Sequence, residues 1–251
     1  MRSKNLATLA ASALLAILSL AGSSNNASAQ QGIRVRRPLV PSRFSLSLDG
    51  VMSQPRGDFA NNIGDGWGGN LAGLFRLDRR GYLQLRADGG LVQYGRETKR
   101  IPLNPITGRV SLKVSTSNMI GWVGFGGQLQ IPDGPFRPYV NGSIAYTDFS
   151  TQSTLSGTNG DSDGLSSTNQ HDGSHAWISG AGLNIPFGRS FTHGSLDIGA
   201  RYYQGSWATY LKKGDIIDNP DGSISFTPRR SKTDMVVWHI GASLTLPRQG
   251  L

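Results

Sequence analysis

Ser174 and His175 stand side by side in a Ser- and Thr-rich stretch, and Glu97 is the only glutamate in the chain. A serine nucleophile, an imidazole base and a carboxylate to orient it are the ingredients of acyl transfer. The residue types are present without a motif, and any Ser-rich segment beside a histidine offers as much, so no catalytic residue is expected. His171 and His175 have the spacing of two metal ligands on a helix, but no third ligand stands near them and no helix is expected there. Asp161-x-Asp163-Gly164 opens like a calcium loop yet lacks further oxygen ligands and a glutamate at the twelfth position. Gly124-x-Gly126-Gly127 lies inside an expected strand and opens no helix, so it is not a dinucleotide fingerprint. Cysteine is absent, which removes thiolate metal sites and disulfides together. No metal and no cofactor is expected.

The elements that would position these residues are strands. The N-terminus carries Arg2 and Lys4, an apolar run from Leu6 to Ala21, and polar residues ending in Ala27-Ser28-Ala29. That order is a cleavable export signal over residues 1–29, leaving a mature chain from Gln30. Removing it lowers the formal charge from +9 to +7. The Lys and Arg residues are scattered, and export argues against a nucleic-acid partner, so anionic lipid or lipopolysaccharide is the expected acidic neighbour. Residues 30–42, with Arg34-Val35-Arg36-Arg37-Pro38, read as a flexible N-terminal tail, and 247–251 as a short C-terminal tail. Glycine is abundant at 34 of 251 residues, while Ser, Thr and Asn are plentiful, a composition that opposes helix and favours strands with turns.

Alternation places eight strands at about 43–52, 67–77, 81–94, 114–131, 136–149, 175–187, 194–207 and 233–246. Nearly all reach the roughly 9 to 11 residues that a membrane-crossing strand requires. The links alternate in length: short near Asp78 to Arg80, Pro132 to Pro135 and Gly188 to His193, long near Ser53 to Gly66, Gly95 to Lys113, Ser150 to Ser174 and Ala208 to Ser231. The expected fold is therefore all-β: an eight-stranded, antiparallel, up-and-down transmembrane barrel over 43–246, with one tidy end and one end decorated by four loops.

The strand faces separate by chemistry. Leu83, Leu85, Ala87 and Leu91 oppose Gln84, Arg86 and Asp88, and Leu196, Ile198, Ala200 and Tyr202 oppose Ser195, Asp197, Gly199 and Arg201. Asp49, Arg76, Arg86, Asp88, Asp197, Arg201 and His239 all lie on the side shared with Gly, Ser and Asn. An arginine facing lipid at mid-depth costs about 2 to 4 kcal/mol, so these seven are assigned to a lumen network that pairs across the barrel and leaves no open channel. Aromatics gather at the strand ends: Trp67, Tyr94, Tyr146, Phe149, Trp177, Tyr203 and Trp207 at one rim, and Phe75, Tyr82, Phe136, Tyr139, Phe187 and Phe191 at the other. They are expected to form the two girdles of a membrane barrel. Trp122 and Trp238 fall nearer mid-strand.

The last strand carries His239-x-Gly241-x-x-Leu244-x-Leu246. It is similar to the C-terminal signal by which the barrel assembly machinery recognises outer-membrane clients, with Gly241, Leu244 and Leu246 as the matching positions and Leu246 in place of an aromatic. Pro55-x-Gly57-Asp58-Phe59, followed by Gly66-Trp67-Gly68, resembles the first-loop pattern of the outer membrane protein beta-barrel domain group. With the eight strands, nearly the whole mature chain resembles the OmpA/OmpX-like and opacity-type barrels, as a member with the barrel alone. The resemblance implies a monomer in the outer membrane, with both termini in the periplasm and a non-enzymatic structural, adhesion or surface-interaction role carried by four extracellular loops, which could also take an extracellular ligand. The alternatives it leaves open are a lipid A-modifying enzyme using Glu97, Ser174 and His175, and a narrow passive pore. A soluble lipocalin-like carrier would need an apolar interior.

Overall fold

Residues 43–102, 111–156, 166–187, 194–212, 214–218 and 224–246 are described by a computed structural model of the chain. The export signal, both tails, Asp161 to Gly164, Phe191 and His193 lie outside the described residues.

Eight strands close into a barrel: β1 (Phe44–Pro55), β2 (Gly66–Arg76), β3 (Leu83–Pro102), β4 (Ser111–Gln130), β5 (Arg137–Ser156), β6 (Ser166–Pro186), β7 (Gly194–Gly205) and β12 (Met235–Thr245). The ring order is β1-β12-β7-β6-β5-β4-β3-β2, and every pairing is antiparallel. Between β7 and β12 the chain adds two small hairpins, β8 (Trp207–Tyr210) with β11 (Arg229–Lys232), and β9 (Ile216–Asp218) with β10 (Ile224–Phe226). One short helix, α1 (Gly57–Ala60), follows β1. The eight-stranded antiparallel barrel expected from alternation is the observed fold.

The links at one end are tight for identifiable reasons. Asp78 accepts from the Gly81 N–H at 3.0 Å and the Leu83 N–H at 2.9 Å, folding 77–82 back on itself. Gly81 sits at φ 88°, a left-handed conformation that a β-carbon would strain. The ring closes where β1 meets β12, and there Gly241 faces inward so tightly that a β-carbon would strike the Leu48 carbonyl and the Asp49 carboxylate.

The long connections differ from expectation. Residues 95–102, 111–113, 150–156 and 166–174, read as loop, are strand. β3 to β5 run for 20 residues each and β6 for 21, against 11 or 12 for the other four barrel strands. At about 3.3 Å per residue, the four long strands project roughly 25 to 30 Å beyond the rest. This extension is polar on both sides, rich in Ser and Thr, so it lacks the apolar alternation by which a strand is recognised. Its pairing is helped by hydroxyl contacts such as Thr116 Oγ1 to Ser153 Oγ at 2.8 Å.

Outward positions carry a belt of exposed apolar side chains, among them Leu48, Leu71, Phe125, Leu129, Val140, Ile144 and Ile240, with Val123 72% exposed. Inward positions pack against one another through most of the bore, as expected for a barrel of eight strands, and leave a small cavity at the tight-turn end.

Candidate functional site

The lumen has two storeys. The lower, toward the tight turns, is polar. Asp88 on β3 accepts from Arg86 Nε at 3.1 Å and from Arg201 Nη1 at 2.9 Å, and both of its ion-pair partners are sealed from solvent. Arg86 also donates Nη1 to Gln128 at 3.0 Å. Asp49 accepts from Ser47 Oγ at 2.6 Å and from Asn70 Nδ2 at 3.0 Å. Tyr139 donates its hydroxyl to Asp197 at 2.7 Å and meets His239 Nε2 at 2.8 Å. With the phenol proton committed to Asp197, the phenol oxygen is left to accept from an Nε2–H imidazole. Three carboxylates, two guanidiniums and one imidazole thus share a buried space, where an unpartnered charge would be costly.

Six of the seven predicted lumen residues meet in this layer: Asp49, Arg86, Asp88, Asp197, Arg201 and His239. Arg76 does not. It stands apart at the tight-turn mouth, facing Arg137, a residue missed in the sequence because it opens β5 beside Pro138.

The upper storey is apolar, which the sequence reading did not anticipate. Val51, Val92, Ile120, Trp122, Phe149, Ile178, Tyr203, Met235 and Val237 form one buried cluster. Two loops drop into it. Phe59, on α1, is fully buried and packs edge-to-face on Tyr210 at 5.1 Å and on Phe149 at 6.0 Å. Tyr210 bonds Ser231 at 2.8 Å, and the Tyr94 hydroxyl donates to the Leu211 carbonyl at 2.9 Å. The rim is tied down further by Ser206 N–H to His175 O at 2.8 Å and Thr209 N–H to Asp172 Oδ2 at 2.6 Å. The first-loop pattern Pro55-x-Gly57-Asp58-Phe59 is therefore the stopper of the decorated mouth.

Four of the expected girdle aromatics belong inside. Tyr139, Tyr203 and Phe149 are buried, and Tyr94 packs against the lumen cluster. The physical reason is parity: Tyr203 lies two residues from Arg201, and Tyr139 two from Asn141, so each shares its neighbour's inward face. Trp122 is likewise inward, edge-on to Tyr203 at 5.7 Å. Trp67, Phe75, Tyr82, Phe136, Phe187 and Trp207 are exposed at or beside strand ends, whereas Tyr146 and Trp177, the latter 71% exposed, point outward midway along β5 and β6, because those strands run on past the expected rim. Trp238 points outward at mid-strand. At the closing strand Gly241 faces the lumen, while Leu244 and Leu246 lie on the opposite parity.

The acyl-transfer constellation is not assembled. Ser174 faces the lumen, buried, whereas His175 is exposed on the other face of β6, edge-on to Tyr146 at 5.8 Å. Glu97 lies on β3, separated from β6 in the ring by β4 and β5. His171 pairs with Asp148 at 2.8 Å on the outer surface, and among the described residues no cluster suited to a metal ion occurs.

No protein-family description matches the sequence, and no curated protein does. Among solved structures the chain is similar to Neisserial surface protein A (TM-score 0.45, 12% identity, covering 82% of this chain and 98% of that one). It is also similar to the attachment invasion locus protein Ail of Yersinia pestis (0.44, 12%, 82% and 99%). The outer membrane protein OprG of Pseudomonas aeruginosa gives 0.47 at 11% identity, covering 83% and 97%. At these scores the likeness carries no ligand or activity across; the architecture rests on this chain's own closed strand pairing.

Proposed function

We propose that the chain is an integral outer-membrane barrel, closed to solute flow, with a non-enzymatic role in envelope structure, adhesion or surface interaction. One observation carries this reading: a belt of exposed aliphatic and aromatic side chains surrounds a lumen blocked by a charged network and an apolar stopper. A belt of this kind is a lipid-facing surface, since water-exposed apolar patches of such extent are unfavourable. In this orientation the tight turns, with Phe44 of β1 and Thr245 of β12 beside them, face the periplasm, and the extension of β3 to β6 stands outside. Outer-membrane lipid and lipopolysaccharide contact the belt, the barrel assembly machinery reads Gly241, Leu244 and Leu246, the chain acts as a monomer, and an extracellular ligand would meet the extension. Ser174 and His175 on opposite faces of one strand support the non-enzymatic reading.

Membrane fractionation with heat-modifiable migration in detergent gels tests the location. The folded protein is expected in the outer membrane with a temperature-dependent mobility, and recovery solely from the soluble periplasm overturns the proposal. Replacing 96–116 by a short turn tests the role: surface binding by expressing cells should fall while the heat-modifiable barrel persists.

A further inference from the structure

The tight-turn mouth holds a second cluster that the lumen network does not absorb. Arg76 closes β2 and Arg137 opens β5, and both line a cavity of about 40 Å³ open at that end. The two guanidiniums disfavour each other across it, Asp78 in the turn offsets part of this for Arg76 from a distance, and among the described residues no carboxylate lies within ion-pair distance of either. Arg137 Nε is buried with no hydrogen-bond partner. Asp197, the acid on the inner wall, is already held by Tyr139.

The neighbouring amides are arranged as donors. Gln130 Oε1 accepts from Gln84 Nε2 at 2.9 Å and from Gln128 Nε2 at 3.3 Å, which uses its oxygen and keeps its NH2 group for another acceptor. Gln128 in turn is oriented by Arg86. The chamber therefore offers two fork-shaped cations and an amide donor around a space able to take one oxyanion in place of about three waters. Guanidinium forks match phosphate and carboxylate oxygens in pairs, and a tetrahedral anion would remove the repulsion between them.

We infer that this mouth binds a single phosphate-type oxyanion between Arg76 and Arg137. Two sources share that chemistry, free inorganic phosphate and the headgroup phosphate of an anionic phospholipid in the adjoining leaflet.

The mature protein, folded in a maltoside detergent free of phosphate, is titrated calorimetrically with inorganic phosphate and, separately, analysed by native mass spectrometry after addition of phosphatidylglycerol. Saturable phosphate binding without retained lipid assigns the free anion, and retained lipid displaced by phosphate assigns the headgroup. Either result should weaken at least tenfold in Arg76→Gln and Arg137→Gln and stay unchanged in Arg230→Gln at the opposite end, all checked for heat-modifiable folding. Should the glutamine variants misfold, phosphate must raise the wild-type unfolding temperature above that in chloride at equal ionic strength. Absence of both binding signals, equal binding by a folded Arg76→Gln/Arg137→Gln variant, or no stabilisation by phosphate over chloride overturns the inference. The phosphate titration stands independently of the membrane reading.

Discussion

Arg201 reaches Asp88 with an Nη1 to Oδ2 distance of 2.9 Å, although 113 positions separate them in the chain. β7 and β3 are four strands apart in either direction around the ring, so this bond spans the lumen between opposite walls. Arg86 grips the same carboxylate from its own strand. One aspartate thus fixes two cations and two sides of the barrel.

Asp88→Ala should be severe, because it leaves two buried guanidiniums without their carboxylate. The expected loss is about 3 to 5 kcal/mol in urea unfolding from lipid vesicles. Asp88→Ala combined with Arg201→Met should recover part of that loss. A change under about 1 kcal/mol in the single variant refutes the cross-lumen role.

Phe59→Ala should loosen the stopper, since the ring touches both Phe149 and Tyr210. Amide exchange at Asn62 and Ile63, whose N–H groups bond the Phe59 carbonyl at 3.0 and 3.1 Å, should accelerate while that of the barrel strands is unchanged. Unaltered exchange at both amides argues against a packed stopper.

Val123→Arg places a charge in the exposed apolar belt at mid-strand. Folding into vesicles should weaken by about 2 to 4 kcal/mol, whereas Lys113→Ala on the projecting part of β4 should change little. Equal effects at the two sites contradict the lipid-facing assignment.

Gly241→Val should impair closure of the β1–β12 seam, because no side chain fits against Leu48 and Asp49. The readout is the heat-modifiable fraction after refolding. Full recovery of that fraction excludes the proposed close approach as a requirement.

Asp78 is held below its ordinary carboxylate range chiefly by the Leu83 N–H, with help from Tyr82 and Gly81. A depressed folded value means that the turn is stabilised above the unfolded pKa of about 4, and that this contribution is lost as pH falls through the lower folded value. Exchange at the Leu83 amide should quicken below that point relative to neighbouring amides, and Asp78→Asn should abolish the dependence.

Much of the barrel was legible because an apolar outer face and packed side chains inside impose a strict two-residue period. Asp49, Arg86 and Asp88 declared their face by that period alone. Tyr203 and Tyr139 share that inward parity, but each stands near the end of an expected strand, where an aromatic is equally suited to an outward girdle. The extension of β3 to β6 had no such signal, since water bathes a sheet that no apolar core covers and Ser and Thr occupy both faces.

Phe59 and Tyr210 lie in connections, where no periodicity says which ring will turn inward. The sequence by itself determined the strand number, the charged and aliphatic faces and the tight turns, because each depends on near neighbours. Tertiary structure alone decided that Asp88 meets Arg201, that Tyr139 links Asp197 to His239, that Arg76 faces Arg137, and that two loops close the upper mouth. Those contacts depend on the ring order and on the narrow bore of eight strands, which bring residues from distant parts of the chain within hydrogen-bond reach.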